Sequence, residues 1–350
     1  MNEQTVPVRG PFTKSRMTTQ TMMLLVVISL MPAFGYGIYH FGMQAAVVCG
    51  IATGCAMVSG ILTDLIFKRR ISLFDFSELV TGLLIGLSLP VNLPLWVPAA
   101  AAFVSVVLIR GLLGTLARIR IHPVPIVRLA LWAAFPLLMH PSEDLALAEP
   151  LTVFKLTLAE SGDLTQALSG VDVPAMIFGS VPGAIGATSM IALVVGAAFL
   201  ILTDVIDLRI PGTLTISFVF VLLLFAPDRS PAYITMQLAG GMFMLSAFFL
   251  ATDPLSSPVT PWGRVLYGVL IGIICAALRI LQVEEACMIA ILAGNLFVPL
   301  IERVSVPRPF GVRNEAVIRK KAKPEEAPEE EEEAPEEEED EADEETADAQ

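Results

Sequence analysis

The chain has 350 residues, of which 55% are hydrophobic and only 16% charged, and its mean hydropathy is +0.71. Globular proteins carry charged residues at roughly 25%, and a single soluble core stops growing at about 250–300 residues. This composition therefore excludes an ordinary soluble domain, because so much apolar surface must face lipid or other helices.

The net charge of −13 comes from one end of the chain. Residues 324–350 hold 17 of the 35 acidic residues and none of the 22 basic ones, so residues 1–323 carry a net charge of +4. Residues 314–350 contain too few apolar side chains to fold and are predicted to be a disordered acidic tail. This tail is either a solvated extension or a segment that docks on a basic partner, and no nucleic-acid partner is expected.

Apolar runs between residues 21 and 313 predict an all-α fold, a polytopic transmembrane bundle of about ten helices. A spanning helix needs about 20 mostly apolar residues, and lipid cannot satisfy the backbone of other structures. The run at 78–90 is short enough to be a half-helix or a tilted partner of the next run. The predicted spans lie near 21–39, 43–66, 78–90, 93–110, 125–140, 186–203, 211–226, 233–251, 264–281 and 286–302.

The distribution of lysine and arginine predicts the orientation of this bundle. With ten spans and a cytoplasmic N-terminus at residues 1–20, nineteen of the 22 basic residues fall on the cytoplasmic side. Only Lys155, Arg229 and Arg279 fall outside. Because cytoplasmic loops are enriched in basic residues, both termini are predicted to be cytoplasmic.

The first apolar run lacks a cleavage signal and is predicted to be a retained helix. The cysteines, at positions 49, 55, 275 and 287, lie within apolar runs and form no CxxC or Cys/His pattern. We therefore interpret them as small buried residues and expect neither a disulfide framework nor a metal site.

Two regions are candidates for chemistry. The long segment at about 141–185 is too polar to span, and loops of this length are usually functional or disordered. Asp253 follows the eighth predicted span, where Pro254 must end the helix, and Arg264 is expected to pair with it. This pair is a candidate ion path or ligand contact, with helix capping as the structural alternative.

Several segments resemble the RnfD/NqrB family, whose members are membrane subunits of the Rnf complex and of the sodium-pumping NADH:quinone oxidoreductase. Their order and spacing carry the resemblance, which is closer to the RnfD branch. The segments are FSELVTGLLIGLSLPVNLPLWVP (76–98), PGAIGATSMIALVVGAAFLI (182–201), RIPGTL (209–214), ATDPLSSPVTPWGRVLYGVLIGI (251–273) and AILAGNLFVPLIERVSVPRPFG (290–311).

The resemblance implies a multi-pass component of a redox-driven Na⁺ or H⁺ pump in a bacterial-type inner membrane. It also implies partners from the same complex, including an extracytoplasmic protein that carries flavin. Family members hold FMN through a phosphoester to a threonine that precedes Pro-Leu on the external loop. The matching position here is Glu149, before Pro150 and Leu151, and a carboxylate cannot form that ester. Thr152 stands three residues too late.

A second family segment also departs from the pattern, because Ile119 and His122 stand where the family has asparagines near a non-covalent flavin. Thr188, in Gly-Ala-Thr-Ser, is the remaining candidate acceptor for FMN. Its alternative role is packing and capping at a helix start.

Three hypotheses follow. The chain is an RnfD-like membrane component that has lost covalent FMN and serves as scaffold, ion-path wall, or host of a loosely held flavin or quinone. Alternatively, it keeps its redox role with FMN bound non-covalently or at Thr188. A third hypothesis is a stand-alone transporter on the same fold. The sequence counts against it, because it shows no broken-helix pair with symmetric Gly/Pro interruption.

Overall fold

The computed structural model of the chain describes residues 18–68, 76–113, 121–139 and 148–306. Within these ranges the chain is built from α-helices and two π-helical stretches. The acidic tail at 314–350, the first seventeen residues and Ile119 lie outside them. The first five helices are α1 (Thr19–Phe41), α2 (Met43–Ile66), α3 (Ser77–Ser88), α4 (Trp96–Phe103, continued by the π-helix Val104–Leu113) and α5 (Pro123–Ala134).

A single helical turn, Pro136–Met139, follows α5. The rest of the chain then begins with three short helices and ends with six longer or paired ones. The short ones lie in the long polar segment that the sequence places outside the membrane. They are α6 (Pro150–Ser161), α7 (Leu164–Ser169) and α8 (Val173–Phe178). The others are α9 (Met190–Leu202), α10 (Arg209–Phe225), α11 (Pro231–Ala239), α12 (Phe243–Leu250), α13 (Pro261–Ile280) and α14 (Ala286–Ser305).

Local sequence fixes many of these helix starts. Proline stands at the first position of α5, α6, α11 and α13, where its missing N–H costs nothing. The side chains of Ser230 and Thr260 cap α11 and α13 by accepting from N–H groups of the first turn. Capping residue and proline together therefore mark where each helix begins.

Helices lie at all the predicted spans, but they differ in length. In the part of the chain that the structure describes, four are long and apolar enough to cross a membrane alone, namely α1, α2, α13 and α14. Shorter apolar helices of 10–17 residues lie at α3, α4, α5, α9 and α10. The protein is a helical, multi-pass membrane protein, while the count of ten spans and the cytoplasmic termini stay predictions.

The eighth predicted span is broken, contrary to the expectation from sequence. α11 and α12 meet at an angle of 61° across Gly240, Gly241 and Met242. Gly241 has a φ of 58° and Met242 a φ of 61°, both in the left-handed region that interrupts a right-handed helix. The absence of a broken helix therefore no longer counts against a transporter.

The two halves of the bundle repeat one pattern. Pro90 and Pro94 separate α3 from α4, and Pro254 and Pro258 separate α12 from α13 at the same spacing. The short helices α3 and α12 each start after a residue in the left-handed region, Phe76 before α3 and Met242 before α12. Because each half would contribute five predicted spans, an odd number, the halves are expected to have opposite orientations in the membrane.

Glycines let helices of the first half approach closely. A Cβ at Gly86 in α3 would lie 2.7 Å from the Cα of Cys49 in α2, and one at Gly82 would lie 2.6 Å from the Cα of Thr53. Small residues at such interfaces are typical of membrane bundles, because backbone contact replaces the hydrophobic effect as the source of attraction. The α2–α3 interface therefore depends on the lack of side chains at these positions.

We expect the substitution Gly86→Val to lower the free energy of unfolding by about 1–3 kcal/mol, since the side chain would overpack against the α2 backbone. Gly50→Val is the matched control, because a Cβ at Gly50 meets nothing within 4 Å. The melting temperatures of the two variants in detergent test this. Equal melting temperatures would contradict the packing described for α3.

Candidate functional site

The break between α11 and α12 is held by a buried arginine. Arg279, near the end of α13, donates through Nη2 to the carbonyl oxygens of Gly240 and Gly241, at 3.0 and 2.9 Å. A helix end inside a membrane leaves carbonyls that lipid cannot satisfy, and the guanidinium supplies donors. Any Cβ at Gly241 would collide with that guanidinium, so both its positive φ and its contact with Arg279 favour glycine here.

Glu149 secures the same break from the polar segment. Its side chain does not cap its own helix α6. Instead, Oε1 accepts a hydrogen bond of 2.8 Å from the backbone N–H of Gly241. Carboxylate acceptors make stronger bonds to backbone N–H than neutral groups do. Glu149, which the resemblance places at the flavin-acceptor position, therefore serves as a partner for the broken span.

A buried ion pair supports the end of the half-helix α3. Arg128 of α5 forms a two-pronged contact with Glu285, with Nε–Oε2 at 2.9 Å and Nη2–Oε1 at 2.8 Å. Its Nη1 donates to the carbonyl oxygen of Ser88, the last residue of α3. Both charged side chains are nearly inaccessible, at 6% and 5% exposure. Buried charges persist only when paired, and this pair ties together α3, α5 and the start of α14.

A polar cleft lies where α6 meets the turn between α13 and α14. Lys155 of α6 forms an ion pair of 2.8 Å with Glu284, which also accepts from the indole N–H of Trp132 at 3.3 Å. Among the described residues, neither Gln237 Oε1 nor Arg279 Nε has a hydrogen-bond partner, although both are buried. The cleft is lined by Glu149, Leu151, Thr152, Lys155, Gln237, Gly241, Arg279, Gln282, Val283 and Glu284.

This arrangement does not fit an FMN ester at the acceptor position that the resemblance implies. Glu149 has no hydroxyl, and its carboxylate is committed to Gly241. Thr188, the alternative acceptor, is only 3% exposed, and its hydroxyl donates at 3.5 Å to the carbonyl of Ile185. The N-cap of α9 is Ser189 rather than Thr188. His122 caps α5 by accepting from the N–H of Val124.

The predicted pair of Asp253 and Arg264 is wrong. Arg264 instead forms an ion pair of 2.9 Å with Asp207, which also lies 3.6 Å from Arg209. Asp253 follows α12, is half-buried, and its backbone carbonyl accepts from the N–H groups of Ser256 and Ser257. Sequence separation favoured the nearer aspartate, but the turn after α9 brings Asp207 to the start of α13.

Asp207 shows the electrostatic consequence of this pairing. Burial raises the pKa of its carboxyl, but the N–H of Arg209, the guanidinium of Arg264 and the charges of both arginines lower it more. The net result is a pKa below the ordinary range of aspartate, since both partners favour the ionised form. Asp207 is therefore a structural ion-pair residue.

Sequence reasoning missed the roles of Arg128, Arg279 and Glu285. It counted the two arginines as loop charges, although each lies inside an apolar run. An ionisable residue within such a run is expected to be paired and functional, and this signal could have found them. The positive-inside count also placed Arg128 on the cytoplasmic side, whereas its contacts are with Ser88 and Glu285, which the same topology places towards the external end.

The geometry defines a class: a multi-pass helical membrane protein whose short helices end on buried arginines, with a polar cleft at one end. Comparison with known sequences identifies the family within this class. Residues 7–311 match the NQR2, RnfD, RnfE family, and the chain belongs to that family.

Its relatives include several proteins named as the D component of an oxidoreductase complex. The one from the Na⁺-translocating ferredoxin:NAD⁺ oxidoreductase complex of Acetobacterium woodii is 31% identical over 92% of this chain and 100% of the relative. The one from the ion-translocating oxidoreductase complex of Aeromonas hydrophila is 31% identical over 87% of this chain and 98% of its own length. The one from the proton-translocating ferredoxin:NAD⁺ oxidoreductase complex of Clostridium ljungdahlii is 29% identical over 87% and 95%.

The substitution Arg128→Met is expected to lower the free energy of unfolding by about 3–5 kcal/mol, because it strands the buried charge of Glu285. Lys155→Met is the matched control at the more exposed pair with Glu284, where a loss of at most about 1 kcal/mol is expected. Thermal unfolding in detergent measures both. A smaller effect at Arg128 than at Lys155 would refute the role assigned to the buried pair.

Proposed function

We propose that the chain is the RnfD-like membrane component of an Rnf-type, ion-translocating electron transport complex in a bacterial inner membrane. We further propose that it works without the covalent FMN of its family. The observation that carries this second part is the hydrogen bond from Gly241 to Glu149 at the acceptor position. The carboxylate there is a structural partner of the broken span, in addition to being unable to form a phosphoester.

The relatives support the assignment to a complex. Three of them are named as components of ion-translocating oxidoreductase complexes, and they match this chain along most of its length. The partners of this chain would then be the other proteins of the complex, including a flavin-carrying extracytoplasmic one. The transported ion would be Na⁺ or H⁺, since the relatives' names include both.

Within such a complex the chain would be a scaffold and the wall of an ion path. The short helices α3 and α11 end at backbone carbonyls that Arg128 and Arg279 bind, and discontinuous helices of this kind commonly line transport sites. Asp253 lies just after α12 and is half-buried. The cleft at Gln237 and Arg279, with its unpartnered buried polar atoms, is the place where a loosely held flavin or quinone would find donors and an acceptor.

Two alternatives remain distinct. An intact redox component would hold FMN non-covalently or at Thr188, and the burial of that hydroxyl weighs against the ester. A stand-alone transporter on the same fold gains support from the break between α11 and α12 and from the repeated half-helix pattern. Copurification of other Rnf-type proteins with the tagged chain separates a component of a complex from a stand-alone transporter.

Denatured wild-type protein should show no flavin fluorescence in a gel, and its mass should equal that of the unmodified chain. Glu149→Thr alone should also stay dark, because the residues before it have drifted from the family motif. A purified relative that carries covalent FMN serves as the positive control.

A fluorescent wild-type band that disappears in Thr188→Val would overturn the proposed loss of covalent FMN. Fluorescence in Glu149→Thr would show instead that only one residue separates this chain from flavinylation. Mass measurement of the same samples identifies the adduct directly.

Asp253→Asn should impair redox-driven ion uptake by vesicles that contain the whole complex, because a carboxylate that binds or passes a cation loses its charge. Asp204→Asn is the matched control, since Asp204 is exposed after α9, on the same predicted side. Unchanged uptake at normal expression in Asp253→Asn would restrict Asp253 to a role at the helix end.

A further inference from the structure

Two cysteines that sequence reasoning treated as separate apolar residues lie in contact. Cys275 of α13 and Cys287 of α14 have their Sγ atoms 3.2 Å apart, and both residues are free thiols. A disulfide requires about 2.05 Å, so the sulfur atoms need to approach by only about 1 Å. The two helices already pack together as a hairpin, so bond formation needs no large movement of the backbone.

A fixed positive charge accompanies this pair. Nη2 of Arg279, one turn after Cys275 on α13, lies 3.5 Å from the Sγ of Cys287. The guanidinium is always protonated, and a thiolate beside arginine is more stable and therefore more reactive than an ordinary buried thiol. Contact with a partner thiol and with a cation distinguishes Cys287 from an inert apolar cysteine.

We propose that Cys275 and Cys287 form a redox-active dithiol that closes into an internal disulfide, with Arg279 holding the thiolate of Cys287. The predicted topology places the turn between α13 and α14 at the external end of the bundle, where disulfides persist. Arg279 lines the polar cleft, which gives a small oxidant and a departing proton a route to the otherwise buried sulfurs.

The oxidant is a small peroxide. The thiolate of Cys287, whose proton has left to water in the cleft, attacks one oxygen, and the O–O bond breaks to give a sulfenic acid and hydroxide. The sulfur of Cys275 then attacks the sulfenic sulfur. An S–S bond forms, the S–O bond breaks, and the hydroxyl leaves as water with the proton of Cys275. The two thiols lose two electrons, and the peroxide gains them.

The same arginine connects this chemistry with the broken span. Nη2 contacts both Cys287 and the carbonyls of Gly240 and Gly241. Disulfide formation makes the sulfur of Cys287 neutral. The guanidinium of Arg279 then loses its anionic partner and keeps the carbonyls of Gly240 and Gly241. The oxidation state of the pair therefore acts on the residue that holds the break between α11 and α12.

Membranes containing the full-length chain are treated with hydrogen peroxide, denatured, and labelled with N-ethylmaleimide. Untreated chain should take up four labels, one for each cysteine, and oxidised chain two, with dithiothreitol restoring four. Peptide mapping should find Cys275 joined to Cys287. Retention of four labels, or a loss that dithiothreitol does not reverse, would overturn the proposal.

The remaining cysteines provide matched controls. The double variant Cys49→Ser, Cys55→Ser should fall from two labels to none, whereas Cys275→Ser, Cys287→Ser should keep two throughout. Arg279→Gln should slow oxidation by roughly tenfold, because the thiolate fraction sets the rate, and Arg279→Lys should recover most of it. Equal oxidation rates in Arg279→Gln and Arg279→Lys would show that the positive charge of Arg279 does not promote the reaction.

Discussion

The backbone at the ends of short helices must find hydrogen-bond partners inside a membrane, and the structure depends on how two arginines meet this need. Arg279 donates to the carbonyls where α11 ends, and Arg128 donates to the carbonyl where α3 ends. Lipid offers no alternative partner. Each guanidinium must in turn be neutralised or surrounded by acceptors, so the position of each arginine fixes the residues around it.

These requirements explain why the polar residues at the predicted external end form one connected group. Glu285 neutralises Arg128, and its neighbour Glu284 binds Lys155. Glu149 accepts from the N–H of Gly241 at the break. The polar segment that follows α5 is therefore part of the bundle's support, and its helix α6 is held by contacts with two separate parts of the membrane domain.

Much of the fold could be predicted from sequence because apolar runs and basic residues report directly on the bilayer. The short run at 78–90, expected as a half-helix or a tilted partner of the next run, is the 12-residue helix α3. The break at Gly240–Met242 was missed, since two glycines in an apolar run are equally compatible with close helix packing. Family resemblance located Glu149, but its bond to Gly241 joins residues 92 positions apart. The pairing of Arg264 with Asp207 was missed for the same reason, because contacts between distant segments leave no local pattern in the sequence.

The two attachments of α6 have a mechanical consequence. Glu149 at its start is bonded to the break, and Lys155 one turn into the helix is bonded to the turn between α13 and α14. Because α6 is rigid and bonded at both points, a displacement of α6 is transmitted to the break and to the turn between α13 and α14. A neighbouring protein that pulled or pushed on α6 from outside the bilayer would thus shift the interrupted helix inside it, without any part of that protein entering the lipid.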